Sequence, residues 1–330
     1  MTGVIAIILG SLLGLTAAAL LALYLHESKS PRLLCLMYHR LASRESFDRK
    51  TGTEHVFCIP ADAFEDQVRF LVARGYRFVT ADEAAQFVFG RLPLTQPSVM
   101  ITFDDGCASV KTYAEPVLRK HGACATAFVT TDPDCLAFSV ADGSEPRLLD
   151  EDLRSLDGKV LQFESHGVTH RPLRGLPPDD IRYELAESRR VLEQLLGRPV
   201  RYLAIPGNWY DTGVMRIARQ CGYHAVWCSN PGSVRPGANP FCLRRINVDG
   251  QYSLAEFAAA IRPWGIAQRR LLSFIRRIPG RLLGPRYWLP LRRTLLGRIP
   301  GGHVSMRRMM ILGGAIGAAA ILLLILCLLW

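Results

Sequence analysis

Apolar positions along this chain follow three patterns. From Gly3 to Leu25 and from Met309 to Trp330 they run uncharged for 23 and 22 residues. At ~1.5 Å per residue, each run spans roughly 33–35 Å as a helix, enough to cross a bilayer core. Between these ends the pattern breaks into short β-branched runs alternating with stretches at helical spacing. The runs predict strands at Leu33–Tyr38, Arg77–Thr80, Ser98–Phe103, Ala123–Val129, Val160–Glu164, Tyr202–Ile205, His224–Cys228 and Leu243–Val248. Phe64, Val68 and Leu71 share one helical face, as do Ile181, Leu185, Ser188 and Leu192. Gly75, Gly122, Gly197 and Gly222 follow helical stretches, where a left-handed stop is expected. Such alternation predicts an α/β domain with a mostly parallel sheet, open or closed into a barrel, with its chemistry at the C-terminal ends of the strands.

This divides the chain into a transmembrane anchor at 3–25, one catalytic-sized domain at 31–263, a basic segment at 264–308 and a second transmembrane helix at 309–330. The first run is read as an uncleaved anchor because it lacks a basic leader and is longer than a signal-peptide core. Gly313, Gly314 and Gly317 in the last run are ordinary for a membrane helix.

Charge sharpens the division. The net formal charge is +11, yet twelve of the forty basic residues are arginines between Phe257 and Trp330, where there is no Lys, Asp or Glu. The rest of the chain is nearly neutral, which argues against nucleic acid as a partner. Leu271, Leu272, Phe274, Ile275, Trp288 and Leu289 are interleaved with these arginines. That mixture suits the headgroup layer of anionic lipid, at ~1 kcal/mol per basic residue. Positive charge flanks both anchors on the domain side, which predicts a cytoplasmic catalytic domain with both termini outside. Nine cysteines, an odd number without a CxxC pair, fit a reducing compartment.

Candidate chemistry gathers at three strand ends. Thr102-Phe103-Asp104-Asp105-Gly106 follows the apolar run Val99–Ile101. Two adjacent carboxylates oppose each other's ionisation unless a cation compensates, although an Asp-Gly surface turn is the common alternative. Ser165-His166-Gly167-Val168-Thr169-His170 follows another strand. On a helical turn, that spacing puts both rings on one face to share a metal. Two imidazoles and one carboxylate leave a coordination position open, as hydrolysis requires. Met37-Tyr38-His39 ends a third strand. A divalent metal lowers the pKa of a bound water toward ~7 and polarises a carbonyl. A neighbouring carboxylate can act as base and a histidine as acid, so the set suits amide hydrolysis.

At these residues the chain resembles the polysaccharide deacetylase (NodB-like) family, through TFDDG at 102–106 and SHGVTHRPL at 165–173. The resemblance covers about Leu33 to Phe257 and implies a distorted (β/α) barrel. It implies Asp104 as general base and Asp105, His166 and His170 as metal ligands. LMYHR at 36–40 is similar to the opening strand of the poly-N-acetylglucosamine deacetylase branch, which nominates His39 as general acid. The segment Pro240–Val248 is similar to that branch's closing strand and nominates Arg245 as a site residue. The family's third motif, Pro-aromatic-Gly, departs here to Pro206-Gly207-Asn208-Trp209-Tyr210. Gly207 N–H remains a candidate oxyanion donor, with Trp209 or Tyr210 standing in for the lost ring or packing in the core. The implied activity is removal of an N-acetyl group from an amino sugar. The two anchors favour a membrane-associated or lipid-linked saccharide as its carrier. An O-acetyl esterase and a silent glycan- or lipid-binding protein are the alternatives. The ligand types suit Zn²⁺, with Co²⁺, Ni²⁺ and Fe²⁺ as alternatives.

Overall fold

A computed structural model describes residues 2–50, 54–135, 139–140, 143–144, 146–276 and 278. One compact unit comprises residues 30–50 and 54–257; a second comprises the described residues up to 29 and from 258 onward.

Among its described residues the first unit holds twelve strands. They are β1 (Leu33–Tyr38), β2 (Arg40–Ala42), β3 (Cys58–Pro60), β4 (Arg77–Phe78), β5 (Ser98–Phe103) and β6 (Ala125–Val129), then β7 (Ser139–Val140), β8 (Gly143–Ser144), β9 (Leu161–Ser165), β10 (Tyr202–Ala204), β11 (Ala225–Trp227) and β12 (Ile246–Asn247). Eight form one sheet in the order β11-β10-β9-β6-β5-β1-β12, with β4 beside the start of β5. Every pairing in it is parallel. β1 and β5 are buried at all six positions, as parallel strands covered on both faces must be.

Alternate residues separate two layers of core. Cys35, Met100, Phe128, Tyr202 and Trp227 meet on the concave side, where Phe128 and Tyr202 lie 5.7 and 5.6 Å from the Trp227 ring. On the convex side, Tyr38 and Phe103 pack on Phe64 at 5.3 and 5.6 Å. Phe64 belongs to the helix Ala61–Ala73, which buries the predicted Phe64, Val68 and Leu71. The helix Pro178–Leu196 starts with proline in its first turn and stops at Gly197, whose φ of 67° only glycine adopts freely. It buries Ile181, Leu185, Ser188 and Leu192, as predicted, and also Glu184.

The predicted strand Leu243–Val248 retains only Ile246–Asn247, because its first residue pairs elsewhere. Leu243 bridges Trp227 at the sheet's far edge, while Ile246 and Asn247 pair with Leu36 and Met37. This one segment touches both edges of the sheet and curls it into a half-barrel. The expected α/β barrel is therefore found in its distorted, barely joined form. The small sheet of β2 and β3 was not foreseen.

In the second unit, Thr2–Ser28 is one helix, with side chains described continuously from Gly14, and residues 263–276 are helical. Tyr24 and Trp264 meet edge to face at 5.8 Å, and buried Glu27 accepts from Arg270 at 2.5 Å. Arg270, expected among the headgroups, thus has a protein partner. Among the described residues no helix is long and apolar enough to cross a membrane. Most of the basic segment 264–308 and the whole 309–330 run lie outside the described residues.

Candidate active site and metal centre

β5 ends at Phe103, in register with Tyr38, and Asp104 N–H donates to Tyr38 O at 3.0 Å. The chain then turns through two positive φ values, 78° at Asp105 and 97° at Gly106. A Cβ on Gly106 would sit 3.1 Å from the Val129 side chain, so the turn closes tightly on β6. The Asp105 carbonyl accepts from both the backbone N–H and the hydroxyl of Thr130, at 3.2 and 3.1 Å. The carboxylate is thereby aimed across the strand ends.

Just past β9, His166 follows Ser165, and its Nδ1 donates to Ala204 O at 2.8 Å. That bond assigns the proton to Nδ1 and leaves the Nε2 lone pair facing the site. The loop to His170 is not the expected helical turn. Gly167 takes φ 81° and His170 φ 60°, and the loop wraps around a buried carboxylate. Glu184 Oε2 accepts from Val168 N at 2.9 Å and Thr169 N at 3.0 Å, and Oε1 accepts from the Thr169 hydroxyl. Backbone N–H groups that a helix would direct along its axis are turned onto Glu184 instead. The two imidazoles still end 5.1 Å apart, centroid to centroid.

Three ligand atoms converge as a result. Asp105 Oδ1 lies 3.5 Å from His166 Nε2 and 3.3 Å from His170 Nε2, and all three lie within 4.8 Å of one another. Asp105 Oδ1 is buried and has no hydrogen-bond partner. An orphaned, buried carboxylate oxygen beside two imidazole nitrogens fits a divalent cation. Burial alone pushes the Asp105 carboxyl up, but the two imidazoles at its oxygen outweigh it and hold the group well below the usual range.

Asp104 points elsewhere. Its Oδ1 and Oδ2 accept from Arg245 Nη1 and Nη2 at 2.6 and 2.7 Å, a two-pronged pair with both side chains buried. Nη1 also reaches the Thr102 hydroxyl at 3.2 Å, and the guanidinium lies 5.7 Å over the Phe128 ring. Burial raises the Asp104 carboxyl, and the charge and hydrogen bonds of Arg245 together with His166 and His39 outweigh it, so the group sits below its ordinary value. Arg245 is therefore not a surface residue but the counter-charge beneath Asp104.

His39 stands within electrostatic reach of Asp105, Asp104, Arg245 and His166. Burial pushes its imidazole down against the pull of the two carboxylates. Its ring meets Phe57 edge to face at 4.9 Å, and Phe57 is exposed. At the end of β10, Pro206–Asn208 forms a single 3-10 turn in which Gly207 takes φ 57° and Asn208 φ 60°. A Cβ at Gly207 would lie 2.9 Å from Trp209 Cδ1. The half-exposed Trp209 ring thus occupies the space a side chain at 207 would need, which accounts for the departure from Pro-aromatic-Gly. Tyr210 turns the other way, toward Asn230 and Cys242.

Reading the sequence missed Glu184, Thr130, Phe57 and Asn230. Glu184 had a signal: it lies three residues after Ile181, inside the buried stripe of its helix, where an acid needs a partner. The others had none.

Fold and site together define an α/β half-barrel with a candidate cation centre at its strand ends. Residues 91–226 match the family model Polysaccharide deacetylase. YxkH of Bacillus subtilis (strain 168), whose name places it among the polysaccharide deacetylases, is 26% identical over 238 residues, covering 72% of this chain and 79% of YxkH. The Streptococcus pyogenes deacetylase PplD, solved with acetate, superposes with a TM-score of 0.60 at 23% identity, over 71% of this chain and 99% of PplD. IcaB from Ammonifex degensii gives a TM-score of 0.58 at 25% identity, over 71% and 98%. Asp104, Asp105, His166, His170 and Gly207 fall inside the family match; His39 and Arg245 fall outside it.

Proposed function

We propose that this domain removes the acetyl group from an N-acetylated amino sugar by metal-assisted hydrolysis. The supporting observation is the convergence of Asp105, His166 and His170 around an orphaned carboxylate oxygen, with a second, separately held carboxylate beside it. Asp105, His166 and His170 are the residues that would hold a divalent ion, with Zn²⁺ the first candidate by ligand type. Such an ion supplies a Lewis acid for the carbonyl and makes water acidic enough to attack near neutral pH.

The remaining roles belong to the chain. Asp104 is the base: Arg245 fixes its orientation and keeps it ionised, while each carboxylate oxygen retains a lone pair for an incoming proton. His39 is the acid, since a depressed pKa makes its charged form a stronger donor to the departing amine. Gly207 N–H is the oxyanion donor, because the first N–H groups of a helical turn have no acceptor within it. The exposed rings of Phe57 and Trp209 are surfaces on which a sugar can stack.

The carrier of that sugar is proposed from the sequence: a membrane-associated glycan or lipid-linked saccharide, with the domain at the cytoplasmic face and the basic segment on anionic lipid. A reporter fused after Pro263 that is active only outside the cytoplasm would overturn this placement. The chemistry is tested by acetate release from N-acetylated amino-sugar oligomers by the purified protein, and by its loss in Asp104→Asn. Acetate from O-acetylated sugars alone would identify an esterase. Glycan binding without acetate release would identify a silent binder.

A further inference from the structure

Two left-handed residues follow one another in the turn after β10, and the second of them carries a side chain: Gly207 at φ 57° and Asn208 at φ 60°. Ile205 O accepts from Asn208 N–H and Pro206 O from Trp209 N–H, both at 3.3 Å, so the turn's own bonds leave the N–H of the exposed Gly207 unused. The turn stands beside the ligand loop. Ala204 O, just before it, accepts from His166 Nδ1, and a Cβ on Gly167 would lie 3.5 Å from the Pro206 ring. An unused N–H in that place serves a developing oxyanion only if its peptide plane is held before the reaction begins.

The turn is poorly equipped to hold that plane by itself. Its two internal bonds are long for N–H···O. Glycine populates both signs of φ, so the 206–207 peptide can turn over at little cost. On the N-terminal side the Pro206 ring fixes one dihedral. The C-terminal side depends on Asn208. A glycine at 208 would adopt φ 60° with less strain. What a glycine would not supply is the amide.

That amide is used at both ends. Asn208 Oδ1 accepts from Ser229 N–H at 2.9 Å, and Asn208 Nδ2 donates to Asn230 Oδ1 at 3.2 Å. The backbone donor at Ser229 decides which way each amide faces, because only an oxygen can accept from it. Asn230 Oδ1 must then face Asn208, and Asn230 Nδ2 goes to the Tyr210 hydroxyl at 2.5 Å. Asn230 is buried, and its carbonyl accepts from Arg245 N–H at 3.0 Å. The segment carrying Gly207 is therefore clasped through residues 208 and 210 onto the loop after β11. That loop is itself tied to the backbone of the arginine beneath Asp104.

We infer that Asn208 is a positioning residue, whose amide, clasped by Ser229 and Asn230, holds the Gly207 N–H where negative charge builds on the acyl oxygen. The role rests on the proposed deacetylation with Gly207 as its donor, and it adds the residue on which that donor depends. The charge exists only as the reaction proceeds, so losing the clasp lowers kcat and leaves KM in place.

Asn208→Gly in the full-length protein keeps the left-handed backbone accessible and removes only the amide. With N-acetylated amino-sugar oligomers, kcat for acetate release is expected to fall about 10- to 100-fold and KM to stay within about twofold, since a displaced donor costs less than a deleted one. Metal content by elemental analysis is expected to match wild type, because His166 is held by Ala204, before the turn. Unchanged kcat in an active protein would overturn the role. A raised KM with unchanged kcat would make Asn208 a sugar contact instead, and a fall in metal content would move its action to the ligands. Asn230→Ala is expected to give a loss of similar size, and the double variant no more than the larger single loss. Losses that multiply would break the clasp into separate effects. Should Asn230→Ala not fold, Asn208→Gly decides alone. Amide exchange reads the clasp without any turnover: Ser229 N–H is expected to be protected in wild type and to exchange faster in Asn208→Gly. Equal rates in the two proteins would remove the bond to Asn208. A wild-type protein that releases no acetate defeats the proposed function and the role with it, while the exchange comparison still decides whether the clasp exists.

Discussion

Replacing Arg245 by methionine tests the site at its most exposed assumption, that Asp104 is a buried anion held by one guanidinium. The substitution keeps a long apolar stem over Phe128 and removes both bonds to the carboxylate, at 2.6 and 2.7 Å. Asp104 is 3% exposed and has no route to bulk water as a charge. Breaking a buried pair from one side costs about 3–5 kcal/mol. For a domain of this size that is a fall in Tm of roughly 10 °C or more. The sign reverses with pH. In the wild type the folded Asp104 carboxyl is depressed, so its contribution is present above the unfolded value of ~3.9 and lost as pH falls through the folded one. In Arg245→Met, burial outweighs the remaining pull of His166 and His39 and raises the carboxyl. Stability is then present below ~3.9 and is lost as pH rises through the raised value, by up to ~1.4 kcal/mol per pH unit. The gap between the two proteins should widen from pH 5 to pH 7. Thermal melts of the purified full-length proteins at both pH values measure it. The double variant with Asp104→Asn should recover at least about 2 kcal/mol of the summed losses. A gap under about 1 kcal/mol, or one constant with pH, would refute the charged pair and with it Asp104 as an ionised base.

His166→Ala and His170→Ala should each lose bound metal by elemental analysis, and wild-type content in both would remove the ligand assignment. Glu184→Gln should weaken metal binding about 10–100-fold by competition with a chelator, because it loosens the His166–His170 loop without touching the ion; unchanged affinity would make Glu184 a packing residue only. Gly207→Ala should lower stability by roughly 1–2 kcal/mol from its left-handed backbone alone, and Trp209→Ala should relieve the added contact with the ring in a double-variant melt. Chelation of the metal should leave amide exchange at Val168 and Thr169 protected, since Glu184 rather than an ion accepts from them; loss of that protection would show that the ion builds the loop.

The candidate metal cluster was legible because its residues sit in short contiguous words. TFDDG and SHGVTH each follow a strand whose apolar pattern is unmistakable, and β1 and β5 have the bounds that pattern predicts. What could not be read depends on distance along the chain. Arg245 meets Asp104 across 141 positions, and only the curl of the sheet through Leu243 brings them together. The resemblance of Pro240–Val248 nominated it as a site residue, but nothing in the sequence paired it with Asp104. The three-residue strands β2 and β3 are too short to carry a period. The His166–His170 spacing suggested a helical turn because i, i+4 ordinarily means one, and Glu184 overrode it from another element. The glycine at 207 looked like a loss until Trp209 was seen to fill the same space.

The strain in the backbone points to the same place as the chemistry. Among the described residues, the non-glycine positions with positive φ are Asp105, His170 and Asn208. Each left-handed residue costs about 1–2 kcal/mol, and such conformations persist only where surroundings over-determine them. The surroundings are identifiable in every case. Thr130 holds the Asp105 carbonyl twice, Glu184 gathers the loop that ends in His170, and Asn230 with Ser229 N–H fixes both ends of the Asn208 amide. Two of the strained residues are proposed ligands, and the third adjoins the proposed oxyanion donor. Their restraints come from the residue after β6, the Pro178–Leu196 helix and the loop after β11. A protein with only a fold to maintain would relax these turns with glycine, as it does at Gly75, Gly122 and Gly197. Keeping side chains there and bracing them from three directions is what a site that must present ligand atoms in fixed positions requires.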